Sequence, residues 1–177
     1  SASLLRRIED GESIALVSDG GTPGISDPGS RLIRAAIDMD IDVVPAPGAC
    51  ACIAAASVAG LPLAQFHYAG FCSPKSGRRR RRLESLRGVE ATLVFYESPH
   101  RVRRFLDDAL DIYGPRAAVI ARELTKIHEE FLRGTLTELC EHFEQTNPRG
   151  EFTILIHGYD DEQPEISTDD AGGAEGA

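Results

Sequence analysis

The chain has 177 residues, 42% of them hydrophobic, which suits one large domain or two small ones around a real core. It holds no apolar run of 18 residues and no basic-then-apolar leader; this excludes a spanning helix and a signal peptide in the given sequence and gives the expectation of a soluble, cytoplasmic protein with no membrane partner. The formal charge of −9 comes from 28 acids against 19 bases, but seven acids and no base fall in residues 160–177. That stretch reads as a disordered acidic tail, the body is near neutral, and the acidic total does not exclude a nucleic-acid partner.

Leu4, Leu5 and Ile8 stand at helical spacing and predict a helix over residues 1–10, stopped by Gly11. Residues 13–17 read as a short apolar strand. The glycine-rich turn Ser18-Asp19-Gly20-Gly21-Thr22-Pro23-Gly24 follows it. Asp27 is placed to cap the next helix, with Pro28 at its first position and Leu32, Ile33, Ala36 and Ile37 on its apolar face. Residues 41–44 read as the next strand, broken by Pro45-Ala46-Pro47-Gly48. Residues 49–59 are small and apolar and predict a buried helix, which Gly60-Leu61-Pro62 ends. A domain boundary is expected nearby, giving one domain over residues 1–64 and a second over 65–159.

The second half opens with an alternating strand over residues 65–71, then a loop and basic segment over 72–82. Residues 92–96 form a strong strand. Ser98 and Pro99 are expected to start a helix with Val102, Phe105, Leu106, Ala109 and Leu110 on one face. Residues 117–121 predict a strand. Thr135 and Glu138 have the spacing of a capping box, ahead of a helix carrying Leu136, Leu139 and Phe143. Residues 152–156 are a last strand. Strands alternate with helices, so the fold class is α/β.

Five segments could carry chemistry. The 19–27 loop and the 45–50 loop both follow strands and are rich in glycine, proline and alanine; they suit close approach of a ligand to the backbone, or simply tight packing. The run Lys75-Ser76-Gly77-Arg78-Arg79-Arg80-Arg81-Arg82 is dense enough in guanidinium groups to grip phosphates, or to form a solvated helix start. Phe95-Tyr96-Glu97-Ser98-Pro99-His100-Arg101 puts polar groups at the mouth of a strand. In Arg122-Glu123-Leu124-Thr125-Lys126-Ile127-His128-Glu129-Glu130 a lysine lies among three glutamates, either a tuned proton acceptor or a surface ion-pair cluster. The four cysteines and five histidines lack metal-ligand spacing, so no metal is expected and the cysteines read as reduced core residues.

These segments together resemble the small-subunit ribosomal-RNA 2′-O-ribose (cytidine) methyltransferase I family of the tetrapyrrole-methylase superfamily. The resemblance runs in order through Val17-Ser18-Asp19-Gly20-Gly21-Thr22-Pro23, Ile25-Ser26-Asp27-Pro28-Gly29, Pro47-Gly48-Ala49-Cys50-Ala51, Gly60-Leu61-Pro62, Pro74-Lys75, Phe95-Tyr96-Glu97-Ser98-Pro99-His100-Arg101 and Ala121-Arg122-Glu123-Leu124-Thr125-Lys126. It implies two α/β domains with an S-adenosylmethionine donor in the cleft between them, a homodimer, and methyl transfer to a cytidine 2′-oxygen of small-subunit ribosomal RNA. It places Gly21, Thr22, Pro23, Ile25, Ala49, Cys50, Ala51, Tyr96, Leu124 and Thr125 at the donor. Lys75, Arg78, Arg79, Arg80 and Arg101 would meet RNA, and Glu123 or Lys126 would accept the proton. The family's first strand and its Pro-x-Gly-Asn loop are not in this sequence, so the first domain is incomplete. A tetrapyrrole methylase of the same fold, and an RNA-binding remnant without catalysis, are the alternatives.

Overall fold

The computed structural model describes residues 2–160. Beyond Asp160, the expected acidic tail lies outside the described residues. The chain divides into two compact units, one up to Ala51 and one from Cys52 onward.

The first unit contains two helices, α1 (Ala2–Glu9) and α2 (Ser30–Ile37). Leu5 of α1 and Ala36 of α2 are its buried residues. Gly11 ends α1 with φ at +94° and an N–H to the Ile8 carbonyl at 2.9 Å. α2 begins later than expected. Gly29, not Asp27, is its N-cap, and Pro28 lies outside it. Gly29 has φ of +140°, a backbone conformation that other residues rarely adopt, and this favours glycine at the corner; an added Cβ would also lie 2.7 Å from Leu16 Cδ2, the tip of a side chain that can move. Residues 13–17 and 41–44, expected as strands, join no ladder among the described residues. A strand exists through its hydrogen-bonded neighbours. Val17 and Val44 stand 79% and 85% exposed.

The second unit is a three-helix, five-strand α/β body led by a short helix. That helix, α3 (Ala51–Ser57), buries Cys52, Ala55 and Ala56, as the run of small side chains predicts. Then come β1 (Phe66–Phe71), α4 (Ser76–Leu86), β2 (Thr92–Glu97), α5 (Val102–Tyr113), β3 (Ala117–Arg122), β4 (Glu130–Thr135), α6 (Leu136–Gln145) and β5 (Phe152–Ile156). The sheet order is β1-β2-β5-β3-β4. β1 and β2 are parallel; β5 runs antiparallel between β2 and β3, and β4 is an antiparallel edge. Glu97, Phe152, Arg122 and Glu130 fall in one row of that register. The carboxyl ends of β2 and β3 therefore share one end of the sheet, with that of β1 beside β2.

The core is one cluster in which Leu83, Leu93, Phe95, Phe105, Leu106, Leu136 and Ile154 are fully buried. Each such side chain contributes about 1.5–3 kcal/mol by leaving water. α5 starts at Val102, three residues after Pro99, because residues 98–101 form a turn closed by the Arg101 and Val102 N–H groups on the Ser98 carbonyl. The capping box of α6 is present: Glu138 N–H donates to Thr135 Oγ1 at 3.3 Å, and Thr135 N–H donates to Glu138 Oε2 at 2.7 Å. No helix among the described residues is long and apolar enough to cross a membrane.

Candidate functional site

In the first unit the two glycine-containing loops meet. Thr22 Oγ1 donates to the Ala49 carbonyl at 2.9 Å. Gly21, at φ +79°, brings its Cα close enough that an added Cβ would lie 3.5 Å from the same oxygen. Ser18 Oγ donates to the Gly21 carbonyl at 3.0 Å and folds the turn on itself. Pro23 is half-buried and Ile25 exposed, while Gly20, Gly48 and Ala49 present backbone and small side chains to solvent. The two loops are thus tied together at positions occupied by glycine and other small residues. Cys50 and Ala51, both half-buried, lead from them into α3.

In the second unit the carboxyl end of β2 is built around Tyr96 and Glu97. The Tyr96 hydroxyl accepts the Cys52 N–H at 2.8 Å, satisfying a donor in the first turn of α3. Tyr68 and Phe71 of β1 pack edge-on to the Tyr96 ring at 5.2 and 5.6 Å. Glu97 has no exposed side-chain surface. Its Oε1 accepts the Ser98 N–H at 2.8 Å and Arg101 Nε at 2.7 Å, so Arg101 is tied to the strand end. Cys72 is buried nearby; desolvation first, then the Glu97 charge, pushes its thiol up to about 11, which makes it inert.

At the end of β3 the backbone is strained on both sides of Leu124. Glu123 and Thr125 have φ of +50° and +67°, conformations that non-glycine residues adopt at a cost. Thr125 is held there by its N–H on Glu129 Oε2 at 2.6 Å. Lys126 Nζ sits between Glu123 Oε1 at 2.9 Å and Glu151 Oε2 at 2.8 Å. Glu123 also accepts the Glu151 N–H at 2.9 Å. A Cβ on Gly150 would come within 2.4 Å of the Glu123 side chain, so glycine there makes room for the carboxylate. The hydrogen bonds from Lys126 and from the Glu151 backbone hold the Glu123 carboxyl below its ordinary range. The two carboxylates, Glu151 then Glu123, hold the Lys126 ammonium above its ordinary range. Lys126 is therefore a cation at neutral pH and Glu123 an ionised carboxylate.

The arginine run forms the start of α4, and the helix divides it. Arg79 is 3% exposed and its Nε donates to Asp108 Oδ2 at 2.7 Å. Arg80 pairs with Asp108 at 3.0 Å and with Asp111. Lys75, Arg78, Arg81 and Arg82 are exposed. The signal that sequence reasoning missed here is spatial, a pair of aspartates one turn apart on α5. Glu97 and Glu151 were also not singled out as site residues, although both hold the ones that were. Among the described residues no group of three or more histidine, cysteine or acidic side chains is arranged to hold a metal.

The model of the tetrapyrrole (corrin/porphyrin) methylases matches residues 2–140. Relatives include the ribosomal RNA small subunit methyltransferase I of Micromonospora olivasterospora, 44% identical over 171 residues, which covers 96% of this chain and 53% of that protein. The protein of the same name from Thermotoga maritima is 42% identical over 155 residues, covering 88% of this chain and 69% of its own length. The chain thus spans about half the length of the first of these relatives. Among solved structures, a uroporphyrin-III C-methyl transferase from Thermus thermophilus complexed with S-adenosylhomocysteine has a TM-score of 0.57 at 21% identity, covering 86% of this chain and 70% of that one. That likeness speaks for the fold.

Proposed function

The chain belongs to the tetrapyrrole (corrin/porphyrin) methylases, in the branch of the ribosomal RNA small subunit methyltransferase I proteins, and from that premise we propose that it works as an S-adenosylmethionine-dependent methyltransferase on a cytidine 2′-oxygen of small-subunit ribosomal RNA. The observation that carries this reading is the 44% identity, over 96% of the chain, to a protein named for methylating that RNA. A cytoplasmic homodimer belongs to the same reading.

The residues fit such a donor. Thr22 and Ala49 tie the two loops together, and a Cβ at Gly20 would meet nothing within 4 Å, which supports a close approach of the donor there. In the proposal Gly21, Thr22, Pro23, Ile25, Ala49, Cys50 and Ala51 hold the donor, as do Tyr96, Leu124 and Thr125. Bound there, the donor supplies an electrophilic methyl group on a cationic sulfur. The chain's own contribution is mainly to hold the ribose hydroxyl in line with it. Of the two candidates for the hydroxyl proton, Lys126 is already protonated, so Glu123 is the proposed acceptor and Lys126 the residue that positions it; its lowered pKa makes Glu123 a weak base, so in the proposal the proton leaves at or after attack. Lys75 and Arg78 are proposed to meet RNA phosphates and Arg101 to border the substrate, while Arg79 and Arg80 anchor the helix that presents the run.

The test is calorimetric titration of the chain with S-adenosylhomocysteine, followed by transfer of a labelled methyl group to isolated small subunits. The Thr22→Val variant unties the two loops and is expected to weaken product binding about threefold to tenfold, the worth of one hydrogen bond. Glu123→Gln is expected to slow single-turnover methylation with binding retained. A folded chain that binds no S-adenosylhomocysteine, or methylation that survives Glu123→Gln unchanged, contradicts the respective part of the reading.

A further inference from the structure

The amino end of α5 and the loop before β5 enclose an open groove of about 800 Å³ on the second unit. Its polar lining is His100, Arg103, Arg104 and Asp107 from one side and Asn147 and Arg149 from the other. Three arginines stand against one carboxylate, an excess of two positive charges before His100 is counted.

The three guanidinium groups are held differently. Arg103 donates to the Thr146 carbonyl and braces the loop. Arg122 Nε donates to the Arg149 carbonyl at 2.7 Å, which pins the loop backbone and leaves the Arg149 side chain exposed. Arg104 is also exposed. Among the described residues neither Arg104 nor Arg149 has a carboxylate or carbonyl for its guanidinium, in contrast to Arg79, Arg80, Arg101 and Arg122. Pro99 and Pro148 border the groove and stiffen its two edges. Two free forks on a braced frame match the geometry of phosphate oxygens.

The lining also says which part of a nucleic acid it suits. No phenylalanine, tyrosine or tryptophan contributes to it, so there is no platform on which a base could stack. A volume in the range of drug-sized sites is too large for a single phosphate and suits an extended strand. We infer that this groove grips the phosphodiester backbone of an RNA strand, as an anchor separate from the exposed arginines of α4 and indifferent to base sequence; the inference rests on the RNA reading above. Arg104 lies one helical turn before Asp108, the residue that holds Arg79 and Arg80. The groove and the arginine run therefore adjoin across α5, and one strand can engage both.

The experiment measures fluorescence anisotropy of two labelled single-stranded RNAs, about 20 nucleotides long and unrelated in sequence, titrated with the 177-residue chain between roughly 50 and 200 mM salt. For R104A/R149A the expected result is affinity about tenfold weaker for both RNAs, with the slope of log affinity against log salt reduced by about 1.4, two contacts at about 0.7 each on a single strand. R104K/R149K keeps the charges and is expected to retain most of the slope. Thermal unfolding and S-adenosylhomocysteine binding stay at the wild-type values in both variants. If the wild-type chain binds RNA steeply and R104A/R149A matches it, the groove is not the anchor, and the RNA reading stands. A loss confined to one of the two sequences overturns the backbone assignment. If the wild-type chain binds neither RNA, the groove is not a sequence-indifferent anchor and the inference falls, while methyl transfer to isolated small subunits decides the RNA reading separately.

Discussion

Replacing Asp108 with alanine tests how the arginine helix is attached. Asp108 has 13% of its side chain exposed and holds Arg79, whose side chain is 4% exposed, at 2.7 Å; it also holds Arg80 at 3.0 Å. The variant leaves the Arg79 guanidinium buried on the face of α4 that carries Leu83 and Leu86, without the carboxylate it is hydrogen-bonded to. Breaking a buried pair from one side costs about 3–5 kcal/mol, most of it the stranded charge rather than the lost attraction. In a chain of this size that lowers the melting temperature by roughly 10 °C. Asp111→Ala removes a partner of Arg80 that is 65% exposed and is expected to cost less than about 1 kcal/mol. The double replacement Arg79→Met/Asp108→Leu removes both charges and should recover most of the loss. Urea unfolding followed by far-UV circular dichroism reads all three. Asp108→Ala within 1 kcal/mol of wild type, or a double variant no better than the single, would refute the account.

Thr135→Ala removes the hydroxyl that caps α6 and is expected to cost about 1 kcal/mol in the same unfolding assay. The Glu123–Lys126–Glu151 cluster makes the 123–129 loop pH-dependent at both ends of the scale. The Glu123 carboxyl lies below its ordinary 4.5, so its contribution is complete above that value and is lost as the pH falls through the depressed one. The Lys126 ammonium lies above its ordinary 10.5, so its contribution is complete below that value and is lost as the pH rises through the elevated one. Carbon-13 shift titration of the Glu123 carboxylate checks the lower limb; Lys126→Met should move its midpoint up toward the ordinary value, and an unmoved midpoint would remove Lys126 as the cause. Gly150→Ala puts a methyl group within 2.4 Å of Glu123 and should shift the same titration in the same direction by displacing the carboxylate.

Elements whose pattern is complete within a few residues were legible. The 102–110 stripe of α5, the Thr135–Glu138 box of α6 and the apolar run of β5 each carry their own signal and lie where it puts them. β4 was not legible. Glu130-Phe131-Leu132-Arg133-Gly134-Thr135 has no clean alternation, because an edge strand buries neither face fully, and its pairing is decided by β3. Both proline-headed helices start late for one reason: the residues ahead of them close a turn or a left-handed glycine corner before the helix can propagate. The stretches at 13–17 and 41–44 show the limit of reading strands from apolar content. Their residues suit a sheet, but pairing is a property of neighbours, and none is within the described structure.

The arginine run shows why candidate sites are harder to read than elements. Five adjacent arginines look equivalent along the chain, but a helix of 3.6 residues per turn does not treat them alike. The leucine side chains of α4 are Leu83 and Leu86, and both are buried. Counting back one turn from Leu83 lands on Arg79, so the apolar stripe itself carries that arginine inward. A buried guanidinium needs an acid, and α5 supplies Asp108 between its own buried Phe105, Leu106, Ala109 and Ile112. The division of the run into anchors and exposed cations was thus present in the spacing of two leucines. What the spacing did not contain was the partner, because Asp108 lies 29 positions away and is brought there only by the packing of the two helices. The same holds for Thr22 and Ala49, which lie 27 positions apart. Residue type fixes what each group can do chemically; the fold decides which of them stay free to do it.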